Sequence, residues 1–314
     1  MRRAVQPIPS GTGGALSATE IKPVPSPSPA LPWLDREAIG RSIEKLPALP
    51  PSATRLLAVV GNGNWHQDEV ISIISLDPLL TGRALSLANS AAYGAPSSIT
   101  TVRQAVARLG VSTITSIAVA VAVNSLMKDP LRAYKASAGL LWRHSVAALV
   151  AVDAIGPTLR WTPLAGSGTA ALLHDIGKLL LARELTPVAA KLIERAVEAG
   201  RGSTAHAEDE LVGSSHAEVG ARIAEAWHLP RIIVQGIRHH HSHYLASSEE
   251  DLAVSRAVAV GDAVARQLVP GLGEAEERWP LERDAEAVHV PADALGRLLD
   301  TTAEQLAEVL KLYE

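Results

Sequence analysis

The sequence has no cysteine among its 314 residues, which excludes disulfides, thiolate metal sites and cysteine nucleophiles and leaves the redox compartment open. It also lacks phenylalanine and has only six tryptophans and four tyrosines, so a core must be built from Leu, Val, Ile and Ala. The longest apolar runs, residues 117–123 and 146–152, are seven residues each, short of the ~20 that a membrane-spanning helix uses. Arg2 and Arg3 are followed by no apolar segment, so no secretory leader is expected and a cytoplasmic location is the default. An excess of positive charge is missing too: 29 basic against 33 acidic residues give a net charge of -4. No broad nucleic-acid or membrane surface is expected from that balance.

With 47% apolar residues the chain can bury a sizeable core. Residues 1–34 hold seven of the twenty prolines and read as a disordered tail. Beyond them the pattern is helical, with few strand signals. Asp77-Pro78 is an N-cap with proline at the first helical position, and the helix it opens is expected to reach Tyr93 and stop at Gly94. Asp68 is expected to cap the helix before it. Thr101 and Gln104 form a capping box for a short helix ending at Gly110, followed by a longer one to Met127. Further helices are expected over 163–182, 186–199, 215–228, 230–241 and 250–268. Residues 271–291 read as a loop, and Thr301 with Glu304 as the capping box of a last amphipathic helix. The fold class is all-α in two lobes: a helical lobe over 35–129, a second over 130–268, then a linker and helix over 269–314.

Seven of the eleven histidines lie between 206 and 243. Polar residues sit within apolar helical segments at His144, His174, Asp175, His216, His240, His241 and Asp262, where each must find a partner or cost several kcal/mol. One divalent cation would satisfy them together, its ligands converging from different helices. Singly, each also fits a core histidine bonded to a carbonyl, and the run at 239–243 fits a solvated helix end. Lys178, one turn beyond His174, either reaches a phosphate oxygen or sits exposed at a helix end, and Arg143 has the same two descriptions. Glu208 and Glu210 are candidates for orienting a ligand imidazole. Asn89 reads as a structural hydrogen-bonding residue. Arg83, Arg103 and Arg108 form either an anion site or a solvated face, and Trp142 and Trp227 read as packing anchors.

These residues carry a resemblance. LLHDIGK at 172–178, RHS at 143–145, HAEVG at 216–220, the paired His240 and His241, and Asp262 resemble the HD superfamily of metal-dependent phosphohydrolases. LPALPPSATRLL at 46–57, ISLDPLLTGRALSLANSAAYG at 74–94 and ITTVRQAVARLG at 99–110 are similar to the HDOD domain, an HD-related bacterial output domain, and the likeness runs over roughly 42–265. It implies an all-α, two-lobed domain of bacterial signalling. It also implies that His144, His174, Asp175 and Asp262 bind one ion, with His216, His240 and His241 completing a second. The cofactor would be one or two divalent ions, iron, manganese, zinc or magnesium, with Asp175 and Lys178 as the catalytic candidates. Relatives that cleave cyclic dinucleotides carry Gly, Tyr, Pro after the paired histidines, whereas HSHYLASSEED stands at 241–251 here. The sequence therefore favours a regulatory protein acting through a signalling partner or a nucleotide, with an active phosphohydrolase or phosphodiesterase as the competing reading.

Overall fold

The computed structural model describes residues 36–61, 65–93, 98–199, 203–272 and 280–313. The proline-rich segment 1–34 and the expected stop at Gly94 lie outside the described residues. Every regular element described is helical, apart from one isolated bridge between Leu131 and Ala136. The order is α1 (Arg36–Glu44), α2 (Pro51–Gly61), α3 (Gln67–Ser75), α4 (Pro78–Ala88), α5 (Val102–Val123), α6 (Leu140–Leu159), α7 (Ser167–Leu173) and α8 (Gly177–Glu184). It continues with α9 (Pro187–Glu198), α10 (Thr204–Val212), α11 (His216–Ala226), α12 (Arg231–Arg238), α13 (Glu249–Leu268), α14 (Leu281–Ala287) and α15 (Ala292–Lys311).

Local chemistry accounts for most boundaries. The Asp77 carboxylate accepts from the Leu80 amide with Pro78 at the first helical position, and Thr101 and Gln104 close the capping box that starts α5. Gly110, at φ 76°, interrupts α5 where the short helix was expected to end. Asn89 is the C-cap of α4; its amide donates to Leu85 O and Ile99 O and its oxygen accepts from the Ile99 amide. α4 thus stops at Ala88 instead of running to Tyr93, because this side chain ties the chain to a later segment.

Four further expectations need correction. Asp68 lies in the first turn of α3, whose N-cap is His66, and pairs with Arg103 on the surface at 2.7 Å. The segment 163–182 is not one helix: it breaks into α7 and α8 around His174 and Asp175. Part of the expected loop at 271–291 folds as α14, whose Asp284 is buried and paired with Arg266. Thr301 does not start the last helix; α15 begins at Ala292, and the Thr301 hydroxyl donates back to Arg297 O inside it.

α6 is buried nearly all round, as an apolar helix at the centre of a fold should be. It packs against α13 and α15, with Trp142 edge-on to Tyr313 at a centroid distance of 5.2 Å. α5 has the length and apolarity of a membrane span, yet most of that stretch is buried within the fold. Two glycines set the spacing of the helices that carry the polar residues. A Cβ at Gly261 on α13 would lie 2.8 Å from Ala148 O on α6, and one at Gly177 on α8 would lie 2.0 Å from His216 O on α11. Neither backbone oxygen has room to yield.

Asp153 on α6 accepts from Tyr93 Oη at 3.1 Å and from Thr113 Oγ1 at 3.4 Å. Burial pushes its carboxyl up to about 6, against these two hydrogen bonds.

Gly177→Ala should destabilise the protein by several kcal/mol, of order 3 or more, in urea unfolding. Gly82→Ala, where a Cβ meets nothing within 4 Å, should change stability by no more than about 1 kcal/mol. For Asp153 the folded state holds the proton more tightly than the unfolded one. Its contribution is therefore fully present only below pH 3.8, the ordinary value, and is lost progressively as pH rises through about 6. Melting curves across that window should show the decline, and Asp153→Asn should flatten it.

Candidate metal centre

The break between α7 and α8 places His174 and Asp175 at a helix junction. His144 comes from α6, His216 from the first turn of α11, His240 and His241 from the turn that follows α12, which ends at Arg238 and not at 241 as expected, and Asp262 from α13. The structure brings all seven together. His144 Nε2 lies 3.2 Å from His174 Nε2 and 3.1 Å from Asp262 Oδ1, and His174 Nε2 lies 3.4 Å from Asp175 Oδ2 and 3.6 Å from Asp262 Oδ1. On the other side, His216 Nε2 is 3.0 Å from His241 Nε2 and 3.3 Å from Asp175 Oδ1, with His240 Nε2 3.9 Å from that same oxygen. The two carboxylate oxygens of Asp175 thus face two separate groups of ligand atoms.

Three of the imidazoles have their Nδ1 pinned. His174 Nδ1 is 2.6 Å from Ala171 O, His240 Nδ1 is 2.6 Å from Ile237 O, and His216 Nδ1 is 2.7 Å from Glu208 Oε2. Each Nδ1 must donate, which leaves each Nε2 as a lone pair aimed inward. The Nε2 lone pairs of His174 and His216 thus lie 3.2 Å from His144 Nε2 and 3.0 Å from His241 Nε2, contacts that need a proton or a cation between the two nitrogens. Ligands about 2.1 Å from a common ion stand about 3.0–3.5 Å apart, which is the spacing found here. His240 Nε2 and Asp175 Oδ1 have no hydrogen-bond partner among the described residues. The donor set, its spacing and its unpartnered atoms fit a divalent cation.

The electrostatics agree. Burial disfavours a charged His174, yet Asp175 and Asp262 push it up to about 10. Burial likewise opposes a charged His216, which the Glu208 carboxylate raises. Against the effect of burial, Lys178, His174 and His216 hold Asp175 well below the usual carboxylate range, and Arg266 with His144 and His174 does the same for Asp262. His240 is lowered well below an ordinary imidazole by burial and by its histidine neighbours. A raised His174 and His216 would each have to give up a proton to take a metal, which links metal affinity to pH.

Lys178 is neither at an exposed helix end nor in a position to meet solvent: it is fully buried, its Nζ 2.8 Å from Asp175 Oδ2 and 5.7 Å from the centre of the Tyr134 ring. Arg143 is exposed, as is Glu210. Glu208 is buried and supports His216 twice, through its ring and its backbone amide, while accepting from Tyr134 Oη at 2.7 Å. Arg83, Arg103 and Arg108 do not converge: Arg83 lies over the Tyr313 ring, Arg103 pairs with Asp68, and Arg108 donates to Tyr93 O.

Sequence reasoning missed Arg266, which is buried and bonds Asp262 Oδ2 and, at 3.1 Å, Asp284 Oδ1. Its position one turn after Asp262 was the available signal. Tyr134 and Asp284 gave none, since their partners are distant in sequence. A pocket of about 290 Å³ opens onto His240, His241 and Asp262, with Arg266, His243 and His289 on its other walls.

Comparison with known proteins bears on the family and the fold. A chain from Treponema pallidum (strain Nichols), itself uncharacterized, is 26% identical over 206 residues, 65% of this chain and 39% of that one. The present chain thus spans well under half of that relative's length. A crystal structure from Shewanella amazonensis SB2B, provisionally named a phosphohydrolase, is 26% identical at a TM-score of 0.61, covering 88% of this chain and 98% of the other. An HDOD domain protein of unknown function from Geobacter sulfurreducens gives a TM-score of 0.65 at 23% identity, over 88% and 97% of the two chains. At 20% identity and a TM-score of 0.63, a protein from Marinobacter aquaeolei VT8 provisionally named a signal transduction protein covers 88% of this chain and 64% of its own. The HDOD domain profile matches residues 46–243, more than half of the sequence, and the chain belongs to the HDOD domain family.

Proposed function

We propose that this HDOD protein binds two divalent cations, one held by His144, His174, Asp175 and Asp262 and the other by Asp175, His216, His240 and His241, and that it hydrolyses a phosphate ester. The observation that carries this reading is the double role of Asp175, whose two oxygens face two sets of inward lone pairs. Imidazole-rich ligation favours iron, manganese or zinc over magnesium. Bound ions would supply Lewis acidity and an activated water near neutral pH.

The chain's own residues have definable tasks in this scheme. Lys178 keeps Asp175 ionised from behind, so it acts through that carboxylate and not on a substrate phosphate. Glu208 and Tyr134 fix the tautomer and orientation of His216. Arg266 orients Asp262 and also lines the pocket through which an anionic group would arrive. The neighbour named a phosphohydrolase is consistent with this proposal.

A regulatory reading has an observation of its own. His144, His174, Asp175 and His216 are at most 1% exposed, and only His240, His241 and Asp262 meet the pocket. In that case the ions cross-link the core, and the chain acts through contacts with a signalling protein or a nucleotide, in keeping with the neighbour named a signal transduction protein.

Elemental analysis of purified protein should find about two ions per chain, and Asp175→Asn should lower the content at both positions. Glu208→Gln should weaken only the ion at His216, by about 10–100-fold in affinity. A folded protein indifferent to added iron, manganese and zinc would mean hydrogen-bonded core histidines instead. Loaded protein should turn over a nucleotide or a generic phosphodiester, with loss of more than about 100-fold in Asp175→Asn. Full loading without turnover, together with biological activity that survives His174→Ala, would establish the regulatory reading.

A further inference from the structure

A second concave site lies beside the metal centre. A cleft of about 630 Å³ runs between the end of α6, the face of α13 and the start of α15, lined among others by Arg160, Trp161, Arg256, His289 and Arg297. Among the described residues no carboxylate lines it, in a chain whose net charge is -4. The Arg160 backbone amide caps α6 by donating to Gly156 O, while its side chain has no hydrogen bond or ion pair among the described residues. Arg256 lies over the Trp161 ring at 5.3 Å and spends its donors on two neutral carbonyls, Val288 O and His289 O, so its charge is uncompensated. Those carbonyls end α14 and would repel an anion, and the guanidinium covers them. Arg297 alone has a counter-charge, Asp293 at the exposed edge.

Backbone conformation sets the same cleft apart. Four non-glycine residues described have positive φ, and two of them, Arg160 and His289, each at φ 54°, stand in this cleft. Glycine would take the left-handed conformation with less strain; at both places a cationic or protonatable side chain holds it instead. Left-handed non-glycine residues are a reason to look for function. His289 also lines the pocket of the metal centre and meets His243 there, so the two cavities adjoin through one side chain.

We infer that the cleft of Arg160, Trp161, Arg256 and Arg297 is a binding site for a phosphate-bearing small molecule, separate from the metal centre. Several guanidinium groups around one concavity suit phosphate oxygens, which they meet as planar donors. The apolar cleft floor and Trp161 suit an attached ring system, so a nucleotide is the ligand class with both chemistries. This inference does not depend on the hydrolytic reading, because neither metal nor turnover enters it.

The test is calorimetric titration of the full-length protein in EDTA, at about 0.15 M salt so that loose surface attraction is screened, using ATP, inorganic pyrophosphate and citrate as probes. ATP should saturate at one per chain and change the tryptophan emission, with pyrophosphate weaker and citrate weakest. Arg160→Ala should weaken ATP by about tenfold and Arg160→Ala with Arg297→Ala by about 100-fold. Both side chains are exposed, so the variants should fold as the parent does. Asp175→Asn should leave ATP affinity unchanged, which separates this site from the metal centre. Absence of saturation, equal affinity for citrate, or indifference to both arginine variants would overturn the assignment. Pyrophosphate binding as tightly as ATP would keep the phosphate site and remove the ring system from it.

Discussion

The polar core of this molecule depends on one electrostatic constraint: buried carboxylates and inward-facing imidazole nitrogens occupy a space a few ångströms across. Such a group is stable only when positive charge sits among its members. Lys178 and Arg266 supply part of that charge from opposite sides, and a raised His174 supplies more. The helices around the site, α6, α7, α8, α11, α12 and α13, are each held where they must be for this compensation to work. The close approaches of Gly261 to Ala148 O and of Gly177 to His216 O are part of the same requirement, since a side chain at either position would push two ligand-bearing helices apart.

Much of this was legible in the sequence. Helix starts announced by a side chain that satisfies orphan amides, such as Asp77-Pro78 and Thr101 with Gln104, fall where their chemistry says. Where the same signal was read at Asp68 and at Thr301, the residue sits within a helix and serves another bond, to Arg103 and to Arg297 O respectively. A short capping residue has alternatives inside a helix, and sequence alone does not weigh them. The break at His174 was hidden for a different reason. Its flanks are uniformly apolar, so the periodicity reads as one helix, and only the three-dimensional meeting of α8 with α11 demands a turn there.

The seven polar residues were marked by their presence in apolar surroundings, a cost that implies compensation. The supports behind them were less visible. Glu208 stood out as an acidic residue in a histidine-rich region, but its partner Tyr134 lies 74 positions away. Asp284 lay in a stretch whose acidity and proline suggested a loop, because nothing local indicates that Arg266 and Gln267 will bury it. Long-range hydrogen bonds leave no periodic trace, so outer supports are the part of a site that sequence reading recovers least.

Arg266 sits between two carboxylates on different helices, Asp262 on α13 beside the imidazoles and Asp284 on α14, both beyond the stretch 46–243 that matches the family profile. One guanidinium shared in this way would couple the seating of α14 to any cation taken up beside Asp262. Whatever free energy a bound ion adds to the ordering of α14, the ordering of α14 returns to the ion in equal measure. On the proposed two-ion reading, α14 would report the occupancy of the site as well as cover the core.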